Sequence, residues 1–253
     1  MKSKASLGWI TLLVAVTLVA ALWVLPARWA MAWIPESSPV QISNASGTIW
    51  NARATVALGV EGTRRTLPDP VQWRLVFDGG PKLMLSHPWL GGPMALKPSL
   101  KGLNVSAQSL QLPATLLTAV HPLFNALDPG GEVHLAWPEL ALGPAGVVPL
   151  SGPALLTAQW RNASSALTRL RPMGAYTLTL QQGAGNIVTL ALATASGPLT
   201  IDGTGTLARS RIQFDGRAGV QDHAGGDVRA ALQGLLDVMG PRSPSGHSIL
   251  KIR

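Results

Sequence analysis

From Val40 onward, apolar and polar residues alternate along the chain, a two-residue period that indicates β-strands rather than helices. Residues 71–77 place Val71, Trp73, Leu75 and Phe77 on one face. The turn sequence at 78–81 then leads into a second apolar run, so a β-hairpin is predicted there. The same alternation recurs at 103–107, 133–137, 176–180, 188–192, 199–207 and 212–220. The pattern predicts a mainly β protein, with a curved antiparallel sheet or sandwich-like domain.

Glycine and proline divide these strands. Pro129–Gly131 precede the alternating run at 133–137, residues 183–186 are a predicted turn, and residues 138–153 are the best candidate for a boundary within the β-rich part. Some glycines fall on the predicted inward face, where they indicate a bend or the close approach of a neighbouring layer. The sheet is expected to have one dry face and one face rich in threonine, serine and glutamine.

One or two short helices interrupt the strands. The first is predicted from Leu112, either ending at Pro122 or continuing in a broken form to Leu127. The second is predicted to start at an Asp227 cap and to end at Gly240. Its apolar residues at helical spacing are Val228, Leu232, Leu235, Leu236 and Met239. This helix should cover an open face or edge of the sheet.

The N-terminal part has a different pattern, because residues 7–25 contain no charge. As a helix this run would be about 28 Å long, which matches the hydrocarbon core of a bilayer. Lys2 and Lys4 precede it and favour a cytoplasmic N-terminus at residues 1–6. The sequence thus predicts a transmembrane helix at 7–25 and a folded domain at 36–253 beyond the membrane. The main anchor residues are Leu7, Trp9, Leu12, Leu13, Leu18, Leu22, Trp23 and Leu25.

A cleaved signal peptide is the alternative, since Ala30–Ala32 offers a small-residue cleavage site. The apolar run is longer than the roughly 7 to 15 residues of such a peptide, so the uncleaved anchor is favoured. Residues 26–35 place Trp29 and Trp33 on one helical face. They are interpreted either as a short interfacial helix or as tryptophans packed on the domain.

The composition of the chain excludes some classes of function. The chain has 253 residues, of which 47% are hydrophobic and only 13% are charged, and it has no cysteine. Disulfides and cysteine-ligated metals are therefore excluded. The net charge is +8, but the basic residues are scattered, the closest groups being Arg64–Arg65, Arg169 with Arg171, and Arg209 with Arg211. Nucleic-acid binding, which needs a dense basic stripe with aromatic residues, is not expected.

No catalytic or cofactor motif emerges. The five histidines do not form a metal-ligand spacing, and no G-x-S-x-G elbow accompanies the adjacent pair Asp222–His223. Residues 203–208 fit G-x-G-x-x-A by letter, but their surroundings alternate like a strand, whereas a dinucleotide site needs a helix to begin there. The protein is expected to be neither an enzyme nor a holder of a metal or cofactor.

The stretch ASGTIWNARA at 45–54 groups Gly47, Thr48, Ile49, Trp50 and Asn51 shortly after the apolar run. A turn is predicted at residues 46–47 and a short strand at 48–50. Asn51 would then bond its own backbone to leave the strand. Trp50 is predicted to seat the first strand close to the membrane exit.

These residues resemble the type II secretion system protein N family. The resemblance consists of the apolar N-terminal run, the sequence LPARW and SGTIWNARA, followed by further matches along most of the chain. In the family's first motif a glycine more often follows Asn51, where this chain has Ala52. The other matching residues include Trp160, Asn162, Gly197, Pro198 and Leu199.

The resemblance implies a single-pass inner-membrane protein with a periplasmic β-rich domain, which is an accessory of the machine that exports folded proteins across the outer membrane. It implies no catalytic residues and no cofactor. The implied partners are other type II secretion subunits, those of the inner-membrane platform and the secretin.

Two hypotheses follow from this sequence. In the first, the protein is a scaffold or assembly component that contacts other subunits through sheet edges and the threonine-rich face. In the second, a membrane-tethered sheet holds a lipid chain on its apolar face, as AsmA-like envelope proteins are thought to do. The second hypothesis depends on the small residues Gly203, Gly205, Gly216 and Ala218.

Overall fold

The computed structural model describes residues 3–31, 34–35, 38, 40–59, 64–119, 123–144, 146–184, 187–208, 211–243 and 246–252. The chain forms two compact units, Met1–His87 and Pro88–Arg253. Antiparallel strands make up most of both units, so the predicted mainly β fold is confirmed. The candidate boundary at 138–153 lies inside the second unit. Trp33, His121 and Arg209 lie outside the described residues.

The first unit begins with helices α1 (Ser3–Trp23) and α2 (Arg28–Met31). Its strands are β1 (Val40–Thr48), β2 (Asn51–Leu58), β3 (Arg65–Thr66), β4 (Val71–Phe77) and β5 (Pro81–Ser86). They lie in the order β1-β2-β4-β5, with β3 also paired to β2. Alternation sets the two faces of β2, because Ala52, Ala54 and Val56 are buried while Arg53 between them is exposed. The predicted hairpin at 71–86 is confirmed as β4–β5.

Helix α1 exposes its apolar side chains. Every side chain from Leu12 to Val24 is exposed, as is Trp9, so this part of the helix does not pack on the strands of its unit. The backbone of Leu7 lies within α1, and Leu25 follows the helix as a half-buried residue. Among the residues that the structure describes, no helix combines the length and the mean hydropathy required to span a membrane.

The second unit contains two groups of strands. The first group is β6 (Met94–Ser99), β7 (Gly102–Val105), β10 (Leu140–Gly143) and β11 (Gly146–Pro149), in that order. The second is an eight-stranded sheet of order β17-β16-β15-β14-β13-β12-β9-β8. Its strands are β8 (Gln108–Pro113), β9 (Pro129–Trp137), β12 (Ala154–Ser165), β13 (Gly174–Gln182), β14 (Val188–Ser196), β15 (Leu199–Ala208), β16 (Arg211–Val220) and β17 (Ser248–Ile252).

Helices cover part of this sheet. Between β8 and β9 the chain forms a 3-10 helix (Ala114–Ala119) and α3 (Leu123–Leu127), which confirms the broken form of the predicted first helix. Helix α4 (Gly226–Met239) confirms the second, although Gly225 precedes it without a side-chain cap and Asp227 lies in its first turn instead. A carboxylate there still favours the helix dipole. Leu112, predicted in a helix, belongs to β8.

The core of the second unit lies between α4 and the sheet. The buried side chains that form it are Leu127, Ala163, Met173, Tyr176, Leu199, Ile201, Ala218, Leu232, Leu235 and Leu236. Three of these side chains, Leu232, Leu235 and Leu236, come from α4 at the spacing that the sequence predicts, and the sheet contributes most of the others. Burying a leucine stabilises the fold by roughly 1.5–3 kcal/mol, so the packing of α4 on the sheet makes a large contribution to the stability of this core.

Pro129–Gly131, which precede the alternating run at 133–137, are themselves the first residues of strand β9. Gly131 has φ +97°, and a Cβ on it would lie 2.5 Å from the carbonyl oxygens of Arg161 and Asn162. The glycine therefore permits two strands to approach at a bulge rather than reversing the chain. The predicted turn at 183–186 is described only as far as Ala184.

The inward glycines of β15 and β16 lie beneath one aromatic ring. A Cβ on Gly203 would lie 2.5 Å from Phe214 Cζ, and Cβ atoms on Gly205 and Gly216 would also crowd the Phe214 ring. The predicted close approach is thus made by a side chain of the same sheet. Ala218, on the same face, is fully buried in the core beneath α4.

Candidate functional site: the junction between the first helix and the sheet

The residues at 47–51 form the turn between β1 and β2. Thr48 pairs with Asn51, which leaves Ile49 and Trp50 as a two-residue loop, hereafter the junction turn. The Asn51 amide donates a hydrogen bond to Thr48 Oγ1 at 3.3 Å. The predicted turn at 46–47 and strand at 48–50 are therefore wrong, because the loop lies three residues further along, at 49–50, and Thr48 ends β1 instead of beginning a strand.

The junction turn holds the end of α1. Trp50 Nε1 donates a hydrogen bond to the Leu22 carbonyl oxygen at 2.8 Å. The last carbonyl groups of a helix have no partner within the helix, so the indole satisfies one of them. The Ile49 amide donates to the Leu25 carbonyl oxygen at 2.9 Å. Both residues of the turn thus bind the chain where α1 ends, as expected for a tryptophan that seats the sheet at the helix exit.

The segment after α1 continues this contact along β1. Pro26 forms an antiparallel bridge with Thr48, and the Ala27 amide donates to the Gly47 carbonyl oxygen at 3.0 Å. Ala27 has no exposed surface. The helix is therefore joined to the sheet by main-chain hydrogen bonds on both sides of Pro26, and not only by the covalent chain.

Gly47 is required at this position. Its φ is +96°, and a Cβ would lie 2.5 Å from the Asn51 carbonyl oxygen and 3.1 Å from Ala52 Cα. Both neighbours are backbone atoms of β2, so they cannot move aside as a side chain would. Glycine permits the two strands of the hairpin to approach this closely.

Strand β4 fixes the junction turn from the other side. Trp73 Nε1 donates to the Ile49 carbonyl oxygen at 3.0 Å, and the Leu75 amide donates to the Trp50 carbonyl oxygen at 2.6 Å. The sequence places Trp73 only on an apolar face, and its hydrogen-bonding role is not predicted. A usable signal is that an indole N–H normally finds a partner when its ring is partly buried.

The remaining family residues lie together in the second unit. Trp160 Nε1 donates to the Gly130 carbonyl oxygen at 2.9 Å, and its ring lies 5.8 Å from that of Tyr176. Asn162 has φ +50° at a bulge in β12, where two neighbouring strands change register. Asparagine tolerates this left-handed conformation better than most residues.

The loop at Gly197–Leu199 closes the same region. Gly197 has φ +112° and lies against the backbone of Gly174, where a Cβ could not fit. The Leu199 amide donates to the Met173 carbonyl oxygen at 3.1 Å, and Pro198 accepts a bond from the Gln221 amide. The Tyr176 hydroxyl donates to the Leu199 carbonyl oxygen at 3.0 Å, and burial raises the pKa of this phenol well above its usual value. These residues hold strands together around the core.

The structure assembles no catalytic constellation from the residues that the sequence raised. Asp222 and His223 are both exposed, and residues 203–208 lie inside β15 rather than at the start of a helix, so the dinucleotide motif is excluded. Within the described part of the chain, histidine and carboxylate side chains form no group of three that could hold a metal ion.

The matching family model is that of the type II secretion system (T2SS), protein N, and it covers residues 38–249. The chain belongs to this family, so the protein is a component of type II secretion, a machine of the cell envelope. The match begins before β1 and includes both the junction turn and the Gly197–Leu199 loop. No curated protein and no solved structure matches the chain.

Proposed function

We infer that this protein is a non-catalytic, single-pass component of the inner membrane whose periplasmic β-rich units contact other type II secretion subunits. The observation that carries this proposal is the junction, where the family residues Gly47–Asn51 hold the end of an apolar helix. A motif used to attach a sheet to a helix, rather than to bind a ligand, supports a positioning role for the protein.

The membrane anchor is supported by the exposure of α1. Its apolar side chains from Leu12 to Val24 face outward and pack on nothing in their unit, and the uncharged run at 7–25 extends on both sides of this stretch. Exposed apolar surface on this scale destabilises a helix in water but suits a lipid environment. Trp9 and Trp23 lie near the two ends of the run, where indole rings prefer the headgroup layer.

The contacts with other subunits are assigned to exposed faces and turns rather than to the edges of the eight-stranded sheet. At one end of the eight-stranded sheet, Trp89 and Gly91 already hydrogen-bond with β8. At the other end, the Ile249 amide of β17 donates to the Pro241 carbonyl oxygen at 2.9 Å. Such edges are protected against a partner strand, so side chains are the better candidates for binding.

Two exposed positions sample these surfaces. Leu100 is fully exposed in the turn between β6 and β7, and Thr204 lies on the polar face of β15. A photoreactive amino acid at either position should crosslink in intact cells to identified type II secretion subunits. The control is the unsubstituted chain, irradiated in the same way, which should capture none.

Failure to capture any secretion subunit from both exposed positions, in cells whose secretion remains intact, would refute the contact role. Placement is tested separately with a reporter enzyme that is active only in the periplasm, fused after the last residue. A fusion that is expressed but shows no reporter activity, while a second reporter that works only in the cytoplasm is active at the same position, would refute the proposed topology.

The lipid-groove hypothesis is not carried into this proposal. The small residues that motivated it do not line an open groove. Phe214 occupies the space above the three glycines, and Ala218 is buried in the core beneath α4.

A further inference from the structure

The segment after α1 fixes the side from which α1 reaches the sheet. Strand β1 runs toward the junction turn, and the bridge between Pro26 and Thr48 is antiparallel. The segment at 25–27 therefore runs away from the turn, so the chain enters the sheet from the turn side. Because the side chains of residues 12–24 are exposed, α1 projects away from the strands on that side.

Strands β4 and β5 continue past the junction turn on the same side. Asn51, the first residue of β2, pairs with Arg74 in the middle of β4. The next three residues, Leu75–Phe77, pair with Pro81–Leu83 of β5 beyond the end of β2. Three residues of strand extend about 10 Å, so the β4–β5 hairpin projects by roughly this distance past the end of β2 toward the side of α1, and by about 7 Å past Leu75, whose amide bonds to Trp50 of the junction turn.

The projecting end carries an exposed aromatic ring. Phe77 is 73% exposed, although the alternation of β4 predicts it on the dry face with Trp73 and Leu75. The reason is register, because β2 ends before it can cover this part of β4. Exposing a phenylalanine to water forgoes the stabilisation that burial would give. This ring matters here because it lies on the side from which α1 enters the sheet.

Positive charge lies just behind this ring. Arg74 is exposed at the level of the junction turn, and none of the carboxylates that the structure describes lies within 4.0 Å of it. Lys82 is placed beside Val76 and forms an ion pair with Asp78 at 2.9 Å. Asp78 follows Phe77 in the loop at the tip of the hairpin, and its ion pair with Lys82 balances both charges, so Arg74 carries the remaining positive charge. A ring next to such a cation matches the boundary of a phospholipid bilayer, where rings meet the acyl chains and cations meet the phosphates.

We propose that the β4–β5 hairpin is a second membrane contact, in which Phe77 enters the bilayer that holds α1 and Arg74 lies at the depth of the phosphates. The headgroup layer is about 5–8 Å thick on each side, so a projection of about 10 Å crosses it. This inference rests on the proposed anchoring of α1. With two contacts, the first unit would be fixed in tilt as well as in position.

The absence of cysteine from the chain permits a clean test. Three full-length variants, Phe77→Cys, Trp23→Cys and Val40→Cys, each receive one environment-sensitive fluorophore. They are reconstituted into vesicles of phosphatidylethanolamine and phosphatidylglycerol that contain lipids with a nitroxide quencher near the headgroup. Val40 is the matched control, because it is an exposed apolar residue at the far end of β1, about 27 Å along the strand from Thr48.

A blue-shifted, strongly quenched signal from positions 23 and 77, and an unquenched signal from position 40, would support the proposal. Quenching at position 23 alone would overturn the proposed membrane contact of the hairpin but would still support the anchoring of α1. No quenching at position 23 would overturn the anchor, and the hairpin proposal with it. Equal quenching at positions 40 and 77 would also overturn the proposal, because the hairpin would then not be the part that meets the lipid.

Discussion

The close approach at Gly47 can be measured as a free energy. Gly47→Ala adds a methyl group 2.5 Å from the Asn51 carbonyl oxygen, at a backbone φ of +96°. A left-handed conformation costs a non-glycine residue roughly 1–2 kcal/mol. Overpacking against atoms that cannot yield costs a further 1–3 kcal/mol or so. The expected loss in the unfolding free energy of the first unit is therefore about 2–5 kcal/mol.

Gly79→Ala is the matched control, because Gly79 lies in the same unit with φ +65° and a methyl group added there would meet no atom within 4 Å. It should lose only the conformational part, roughly 1–2 kcal/mol. Both variants can be unfolded with urea in a mild detergent and followed by tryptophan fluorescence. Hydrogen exchange of peptides around residues 45–55 then assigns the loss to the hairpin. Equal losses in the two variants would refute the argument that Gly47 is needed for close packing.

Three further predictions concern single side chains. Trp50→Phe keeps a ring but removes the hydrogen bond to Leu22, so it should cost about 1 kcal/mol and speed amide exchange at the end of α1. Tyr176 is the only tyrosine, and burial raises its pKa. Its absorbance change should therefore appear above the usual pH of about 10, and the contribution of this phenol to stability should fall as the pH rises beyond 10, because the unfolded chain loses its proton first. A tyrosinate signal at the ordinary pH in the folded protein would contradict this. Leu235→Ala should cost about 2–5 kcal/mol, whereas Val238→Ala, on the exposed side of α4, should cost under about 0.5 kcal/mol, and thermal unfolding distinguishes them.

The sequence predicts an element correctly where the spacing of its apolar residues alone determines whether it is a strand or a helix. Strands β13 to β16 and the hairpin β4–β5 follow the two-residue alternation, and α4 follows the helical spacing of its leucines. The misplaced turn at 46–47 has a physical cause. At Gly47 and Gly131 the glycine permits a close approach between strands, and local turn preferences do not distinguish this use of glycine from a chain reversal.

The junction could be predicted only in part. That Trp50 lies near the helix exit follows from its short distance in sequence from the apolar run. Its acceptor on Leu22 is 28 residues away, and the bond from Trp73 to Ile49 joins residues that are 24 apart. These partners depend on how the strands pair, and alternation does not reveal strand register. The exposure of Phe77 has the same origin, because it depends on where the neighbouring strand ends.

The protected ends of the eight-stranded sheet have a consequence for solubility. A row of unpaired main-chain groups at the end of a sheet can recruit identical chains and grow into fibrils. Here the residues beside β8 and β17 already occupy part of those groups. The eight-stranded sheets of neighbouring copies should therefore remain separate at high local density rather than join edge to edge.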